Sequence, residues 1–241
     1  MFETQPFQIF SFQHLVTILI VMSAVIGIPF YLRNKSDSVK VIIGKLIAIL
    51  ILVYQVVQVF TNTIIFEKPW VEILPLHMCD LSSLCIAIYF LRGGRVFFNC
   101  AFFWGVAGAT MSLLTPTVKQ GFPGLEYLLF FYFHGLILFG VMFAFIALKQ
   151  RPYLHDLFKV ITISIIGMGV IYLINILLGE EANFWYLQQK PDNDTLMNFF
   201  PDPPLHLIPL VPAGIFFMSA VYFPFWLRDR ITSSRKAFVA D

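Results

Sequence analysis

The sequence predicts an all-α polytopic membrane protein with seven transmembrane helices. Hydrophobic residues make up 59% of the 241 residues and charged residues only 12%, well below the roughly one quarter that is typical of soluble domains. The mean hydropathy is +0.80. Apolar stretches long enough to cross a hydrocarbon core of about 30 Å also recur along the whole chain.

Each of the seven predicted spans is an apolar stretch of about 20 residues. In chain order they are Phe12 to Leu32, Leu46 to Phe66, Ile73 to Leu91, Val96 to Leu114, Tyr127 to Leu148, Leu157 to Leu178 and Leu205 to Leu227. No composition shift or low-complexity tract divides the chain, so we expect one seven-helix transmembrane domain over residues 1–241. Its longest connection is the loop at residues 179–204.

The basic residues predict the orientation. Nearly all of them lie on alternate connections: Arg33, Lys35, Lys40, Lys45, Arg92, Arg95, Lys149, Arg151, Lys159, Arg228, Arg230, Arg235 and Lys236. The other connections carry Lys68, Lys119 and Lys190. By the positive-inside tendency, the N-terminus is outside and the C-terminus cytoplasmic. We therefore expect a multi-pass protein of the cell (plasma) membrane with an extracytoplasmic loop at residues 179–204.

The predicted outer face is acidic, and it carries Glu67, Glu72, Glu126, Glu180, Glu181, Asp192, Asp194 and Asp202. The net charge of +2 is a sum over two unlike faces, so it does not indicate a nucleic-acid partner, and none is expected. Membrane lipids are the expected partners, and the sequence leaves the oligomeric state open. The aromatic segment Asn183 to Leu187 is expected in the membrane interface, with covering of a site as the alternative.

Polar side chains inside the predicted spans share one depth. At about 1.5 Å per residue, all of them fall within about 15 Å of the outer surface. They are His14, Gln58, Asn62, His77, Cys79, Asp80, His134 and Asn175, with His206 opening the last span. Because such groups are costly in a bilayer and usually have a function, we expect them to converge in one cavity open to the outer leaflet.

The second span carries a polar stripe of Gln55, Gln58 and Asn62. The spacing of three and four residues places these side chains on one helix face. Such a stripe lines a cavity or joins two helices by hydrogen bonds. We assign the helix-joining role to Gln55 and cavity lining to the other two.

Other small residues in the spans are interpreted as packing groups. Ala101, Gly105 and Ala109 repeat every fourth position in the fourth span, the pattern that allows close approach of helix backbones. Cys85 and Cys100 are expected to be core hydrophobes, since most buried cysteines are inert.

Cys79 is the candidate nucleophile, because a thiol is the strongest nucleophile of the set. Burial in apolar surroundings disfavours the thiolate, so the thiol needs a base. His77 lies two residues away, about 200° around a regular helix, and points to the opposite side unless Pro75 distorts the first turn. His134, from another helix, is the better base, while Asp80 shares the face of His77 and is a candidate to orient its ring.

A cysteine and a histidine in this setting suit acyl transfer or hydrolysis on a phospholipid at the outer leaflet. The thiolate attacks an ester carbonyl, and the resulting thioester is released to water or to a lysolipid. Gln58, Asn62 or Asn175 are candidate hydrogen-bond donors to the oxyanion. This chemistry calls for no cofactor and no metal. In the structural alternative, Cys79 is a core filler and the histidine joins two helices.

Two other functions fit the same polar residues. A metal-dependent membrane hydrolase would use histidine ligands, although no HxxxH or HExxH spacing occurs; the candidate ligands are His14, His77, His134 and His206, with Asp80. A small-solute transporter or binding protein would also use a polar cavity between helices. Against transport, the polar set is confined to the outer half of the spans.

Several motifs resemble those of the bacterial YwaF-type integral membrane proteins and their eukaryotic transmembrane relatives. They occur in the expected order over most of the chain: LPLHMCD at Leu74 to Asp80, FWGVAG at Phe103 to Gly108, LLTP at Leu113 to Pro116, GFP at Gly121 to Pro123, HG at His134 and Gly135, and Asn183 to Pro191, which resembles NYxxLxxKP.

A eukaryotic relative of that family resembles a cysteine-dependent phospholipid acyltransferase, which is similar in architecture to androgen-induced-gene lipid hydrolases. The resemblance implies Cys79 as nucleophile and His134 as base. One feature departs from the family pattern: the chain has PDPPLH after the long loop and no carboxylate between Asp202 and Asp229. The resemblance therefore implies no role for His206.

Overall fold

The chain is helical, and no strand occurs within the residues that the computed structural model describes, 5–191 and 195–240. Seven helices are long and apolar enough to cross a membrane. They are α1 (Phe12–Leu32), α2 (Asp37–Ile65), α3 (Trp70–Arg92), α4 (Arg95–Leu114), α5 (Leu125–Ala147), α6 (Leu154–Leu178) and α7, which crosses within Leu207–Ser233. The predicted fold class and number of spans are confirmed.

Some predicted charged groups fall beyond the part of the chain that is described in atomic detail. Asp192 and Asp194 of the acidic face lie outside the described residues. Helix α7 continues to Ala240, and its side chains are described up to Ser233, so the side chains of Arg235 and Lys236 are not described.

The spans are irregular where they approach the cavity described below. Helix α3 is broken: a single turn, Trp70–Ile73, precedes the main helix Met78–Arg92. Helices α2 and α4 contain π-helical turns at Thr61–Ile65 and Gly105–Ala109. Such π turns occur frequently at functional sites, but α5 carries another at Phe143–Ala147 that does not line the cavity, so a π turn alone does not mark the site.

Close packing holds the centre of the bundle together. Helix α3 lies between α2 and α4, and α1 packs on α5. A Cβ atom added to Gly105 would lie 3.0 Å from Ser82 Oγ and 3.1 Å from Ile137 Cγ2, while Ala101 and Ala109 are fully buried. The predicted packing role of the small residues in α4 is confirmed, because Gly105 has no room for a larger side chain and both alanines are buried.

Two ion pairs lie at one end of the bundle, which we call the basic end and which carries connections 33–36, 93–94 and 148–153. Arg95 Nη2 donates to Asp156 Oδ2 at 2.7 Å, and Arg151 pairs with Asp229. The Asp229 carboxylate raises the pKa of Arg151 above its ordinary value. Both guanidinium groups lie over the Tyr153 ring, at 4.5 and 4.7 Å. The opposite end, with the loop at 179–206, is called the loop end.

Candidate functional site

A cavity of about 770 Å³ extends from the loop end into the bundle. This volume lies within the range of small-molecule sites. Helices α2 to α7 and the loop at 179–206 all contribute to its wall, whereas no residue of α1 lines it. The convergence of several helices on one cavity, predicted from residue depth, is present in the fold.

Most of the predicted site residues line this cavity. Those that do are Gln58, Asn62, His77, Cys79, Asp80 and His134. His14 and Asn175 do not. The cavity therefore brings the proposed thiol and the proposed base to a common space from two different helices, α3 and α5.

Cys79 is the second residue of the main helix of α3, which begins at Met78. Its Sγ lies 4.0 Å from the Ser112 hydroxyl of α4. His77 is the N-cap and has an extended backbone. The helical spacing that predicted opposite directions for the His77 and Cys79 side chains therefore does not apply to it. His77 and Cys79 consequently line the same cavity.

Asp80 fixes the start of this helix. Its Oδ2 accepts from the His77 backbone N–H at 3.2 Å, and its side chain is almost fully buried. From α2, Gln55 Nε2 donates to Asp80 Oδ1 at 3.4 Å and to Ser83 Oγ at 2.9 Å. The carboxylate thus contacts the His77 backbone rather than its ring, and Gln55 joins two helices as predicted.

His134 lines the cavity, and one of its ring nitrogens has no hydrogen-bond partner among the described residues. Its Nδ1 lies 2.9 Å from the Phe130 carbonyl oxygen, and because a carbonyl only accepts, Nδ1 carries the hydrogen. The other nitrogen, Nε2, then holds the lone pair that a general base needs. The imidazole packs at 4.2 Å against the Phe130 ring, which fixes its plane.

His14 and Asn175 do not line the cavity and bond to backbone groups instead. His14 Nδ1 accepts from the Phe10 N–H at 3.0 Å, and Nε2 donates to the Leu113 carbonyl at 2.9 Å. The Asn175 amide donates to and accepts from the Phe184 backbone, both at 3.0 Å. Since its amide group is already paired in this way, Asn175 is not placed to act as the oxyanion donor that we considered.

His206 also does not line the cavity, although it bonds to a loop residue that does. It is fully buried, and its Nε2 donates to the Tyr186 carbonyl at 2.9 Å. The histidines considered as metal ligands are therefore not brought together. Within residues 5–191 and 195–240, no group of three or more His, Cys, Asp or Glu side chains is arranged to hold a metal ion.

The loop between α6 and α7 covers the cavity. Phe184 and Leu187 are buried, and the residues from Asn183 to Leu187 line the cavity wall. Trp185 Nε1 donates to the Leu76 carbonyl at 2.9 Å, which ties the loop to the break in α3. The alternative in which this segment covers a site describes it better than an interfacial position.

Sequence reasoning missed part of the wall. Gly108, Met111 and Ser112 of α4 and its C-cap Thr115 line the cavity, and their spacing of three and four is the signal that could have revealed a shared face. Charged residues also lie along the wall: Lys68, Glu72, Glu126 and Glu181. These charges combine with the apolar interior to give the cavity an amphipathic character.

Comparison with known proteins assigns the chain to a family. Residues 9–222 match the model of the TMEM164 family. The chain belongs to the TMEM164 family. It is also 27% identical over 124 residues to a protein of Treponema pallidum (strain Nichols) described as an uncharacterized protein. That match covers 52% of this chain and 47% of the relative, so the chain spans about half the length of the relative.

No solved structure matches the chain. The family match supports a membrane-embedded helical protein, in agreement with the seven spans. The resemblance to YwaF-type proteins and to a cysteine-dependent acyltransferase stays a prediction.

Proposed function

We propose that this protein is a membrane-embedded lipid-modifying enzyme that transfers or hydrolyses phospholipid acyl chains, with Cys79 as nucleophile and His134 as base. The observation that carries the proposal is the shared cavity. Both side chains line it from different helices, and the imidazole keeps Nε2 free for a proton because Nδ1 is bonded to Phe130. The resemblance to cysteine-dependent acyltransferases supports the same pair.

In the first half of the reaction, the acyl chain moves to the enzyme. His134 Nε2 takes the proton of the Cys79 thiol, and Sγ attacks the ester carbonyl carbon. The bond between that carbon and the glycerol oxygen then breaks, and the departing oxygen receives the proton from His134. The products are a lysolipid and a thioester on Cys79.

In the second half, the thioester is consumed. A hydroxyl group of a lysolipid, or a water molecule, attacks the thioester carbonyl while His134 removes its proton, which returns to the sulfur as the thiol leaves. Gln58 Oε1 is buried without a hydrogen-bond partner among the described residues and lines the cavity. It is therefore a suitable acceptor for the incoming hydroxyl group.

The oxyanion of each step needs hydrogen-bond donors. Ser112 is the best-placed donor, because its hydroxyl lies 4.0 Å from Cys79 Sγ. Asn62 lines the same cavity. Asn175 is not included, since its amide is bonded to the Phe184 backbone.

We place the loop end at the extracytoplasmic side of the plasma membrane, because the basic residues concentrate at the opposite end. Outer-leaflet lipids are then the proposed substrates. The charged residues along the cavity wall suit a polar headgroup, and the apolar interior suits acyl chains.

The two alternatives find less support in the geometry. Of the histidines considered as metal ligands, His14 and His206 do not line the cavity and bond to backbone carbonyls instead. For transport, a passage would have to cross the basic end, where Phe102, Phe145 and Phe225 pack on one another beside the two ion pairs.

The test is an acyl-transfer assay with the purified protein in phospholipid vesicles, using a phospholipid with a labelled acyl chain and an unlabelled lysolipid acceptor. Labelled acceptor lipid or free fatty acid is the expected product, and Cys79→Ala should abolish both. Cys85→Ala and Cys100→Ala are matched controls that should keep the wild-type rate. Full turnover by the Cys79→Ala protein would contradict the proposal.

A further inference from the structure

One glycine in the cavity wall lies next to open space. Gly108 belongs to the π turn Gly105–Ala109 of α4 and lines the cavity. A Cβ atom added to it would meet nothing within 4 Å. Gly105, three residues earlier, would meet Ser82 Oγ at 3.0 Å. The two glycines thus have different roles: Gly105 allows helices to pack, whereas Gly108 leaves part of the cavity unfilled.

Gly108 lies close to the proposed nucleophile. It precedes Ser112 by four residues, about one helical turn, so both side-chain positions face the same side of α4. Ser112 Oγ is 4.0 Å from Cys79 Sγ. Since α4 runs from the basic end at Arg95 to the loop end at Leu114, Gly108 lies one turn deeper in the bundle than Ser112.

The wall around this deeper part is mostly apolar; its Ser164 hydroxyl is already bonded to Trp104 Nε1 and to the Val160 carbonyl. Phe103, Trp104, Ile161 and Met218 line it from α4, α6 and α7. Large apolar side chains around a cavity that continues past a thiol suit a hydrocarbon chain, because burying methylene groups is favourable at about 0.8 kcal/mol each. The carbonyl carbon of a bound ester would lie at Cys79, with its chain directed inward.

We propose that Gly108 determines the length and bulk of the acyl chain that the cavity accepts below Cys79. This inference rests on the proposed function and extends it by assigning the acyl-chain subsite. A larger side chain at position 108 would occupy the volume in which the chain lies. Short chains would still reach the thiol, and long chains would be excluded.

The experiment measures alkylation of Cys79 by two iodoacetamides, one with a methyl group and one with a hexadecyl chain, followed by mass spectrometry of the Cys79 peptide. In Gly108→Leu, the long reagent should react about 10- to 200-fold more slowly than with the wild type, the range set by steric discrimination in apolar pockets. The methyl reagent should react at the wild-type rate.

Gly169→Leu is the matched control. Gly169 lies in α6, an added Cβ meets nothing within 4 Å, and the residue does not line the cavity. Both reagents should label Cys79 of this variant as in the wild type. If Gly108→Leu does not fold, Gly108→Ala serves instead, with a smaller slowing confined to the long reagent.

An unchanged ratio of long to short labelling in the Gly108 variants would overturn the assignment, and so would a wild-type Cys79 that the long reagent does not label. Failure of the proposed function can be distinguished from failure of the subsite assignment. If the labelling follows the prediction while Cys79→Ala keeps its acyl-transfer rate, the subsite stands and Cys79 is not the nucleophile.

Discussion

The main helix of α3 and helix α6 begin with the same local structure in opposite surroundings. Each has an aspartate at its third position whose carboxylate accepts the backbone N–H of the residue before the helix: Asp80 with His77, and Asp156 with Tyr153. At the basic end, Asp156 is also paired with Arg95. At the loop end, Asp80 is bonded to the neutral Gln55, and no ion pair with it occurs within the described residues.

This difference separates a structural site from a candidate functional one. At the basic end, Asp156 and Asp229 are each paired with an arginine. At the loop end, the same helix start positions a thiol beside a cavity and leaves polar groups without ionic partners. A buried carboxylate without an ionic partner is costly, and among these two helix starts Asp80, which lines the cavity, is the one in that position.

The largest expected effect concerns His134. Replacing it with Ala should lower acyl-transfer turnover by about 10²- to 10⁴-fold, because the thiol loses its base. His14→Ala is the control, since that ring is also buried but bonds to the backbone away from the cavity. It should reduce stability by about 1–3 kcal/mol and leave turnover per folded molecule unchanged. Equal losses of turnover in both variants would show that His134 has no catalytic role beyond that of a buried structural histidine.

The two aspartates give a direct crossover test. Asp156→Ala removes a helix cap and leaves Arg95 unpaired, so it should lower stability by about 1–3 kcal/mol, the partial exposure of Arg95 limiting the loss. Its turnover should stay normal. Asp80→Ala should displace Cys79 and reduce turnover by about 100-fold. Thermal denaturation in detergent and the transfer assay measure the two effects, and the reverse pattern would contradict this comparison.

Replacement of Trp185 should have a smaller effect, measured as the accessibility of Cys79. Trp185→Phe removes the hydrogen bond to the Leu76 carbonyl, which is worth about 1 kcal/mol, and should speed alkylation of Cys79 by a water-soluble maleimide about fivefold. Trp226→Phe is the control, because Trp226 lies at the basic end of α7 and does not line the cavity. A rate that rises equally in both variants would show that the loop does not cover the thiol.

The smallest effect concerns Lys190 and Asp202 in the same loop. Lys190 Nζ donates to Asp202 at 2.9 Å and holds the pKa of that carboxyl below its usual value. A carboxyl group whose pKa is lower in the folded state stabilises the fold at pH values above its unfolded pKa, about 3.9. This contribution is lost as the pH falls through the folded pKa. The melting temperatures of wild type and Asp202→Asn should therefore differ slightly at pH 7 and converge below about pH 3. A difference that grows on acidification would contradict this.

The spans were predictable because hydropathy depends on the local sequence, whereas their irregularities were not. Helix α2 begins at Asp37, before the apolar run at Leu46, because Asp37 in the first turn suits the helix dipole and lies outside a hydropathy window. The break in α3 placed His77 before the helix rather than within it. That change reversed the expected direction of its side chain relative to Cys79.

Depth along each helix predicted the cavity, but depth alone does not give the direction of a side chain. Cys79 and His134 reached the same cavity, while His14 and Asn175, at similar depth, turned toward backbone groups. These contacts depend on residues distant in sequence, Leu113 in one case and the loop residue Phe184 in the other. Single-sequence patterns carry no information about such pairings.

The most direct test of the central claim is detection of the acyl-enzyme. The protein is mixed with a phospholipid of one defined acyl chain and quenched in acid, and its peptides are analysed by mass spectrometry. The account predicts an acyl adduct on Cys79 that hydroxylamine removes, and much less of it in His134→Ala. Turnover-competent protein with an unmodified Cys79, or with the adduct on Cys85 or Cys100, would contradict it.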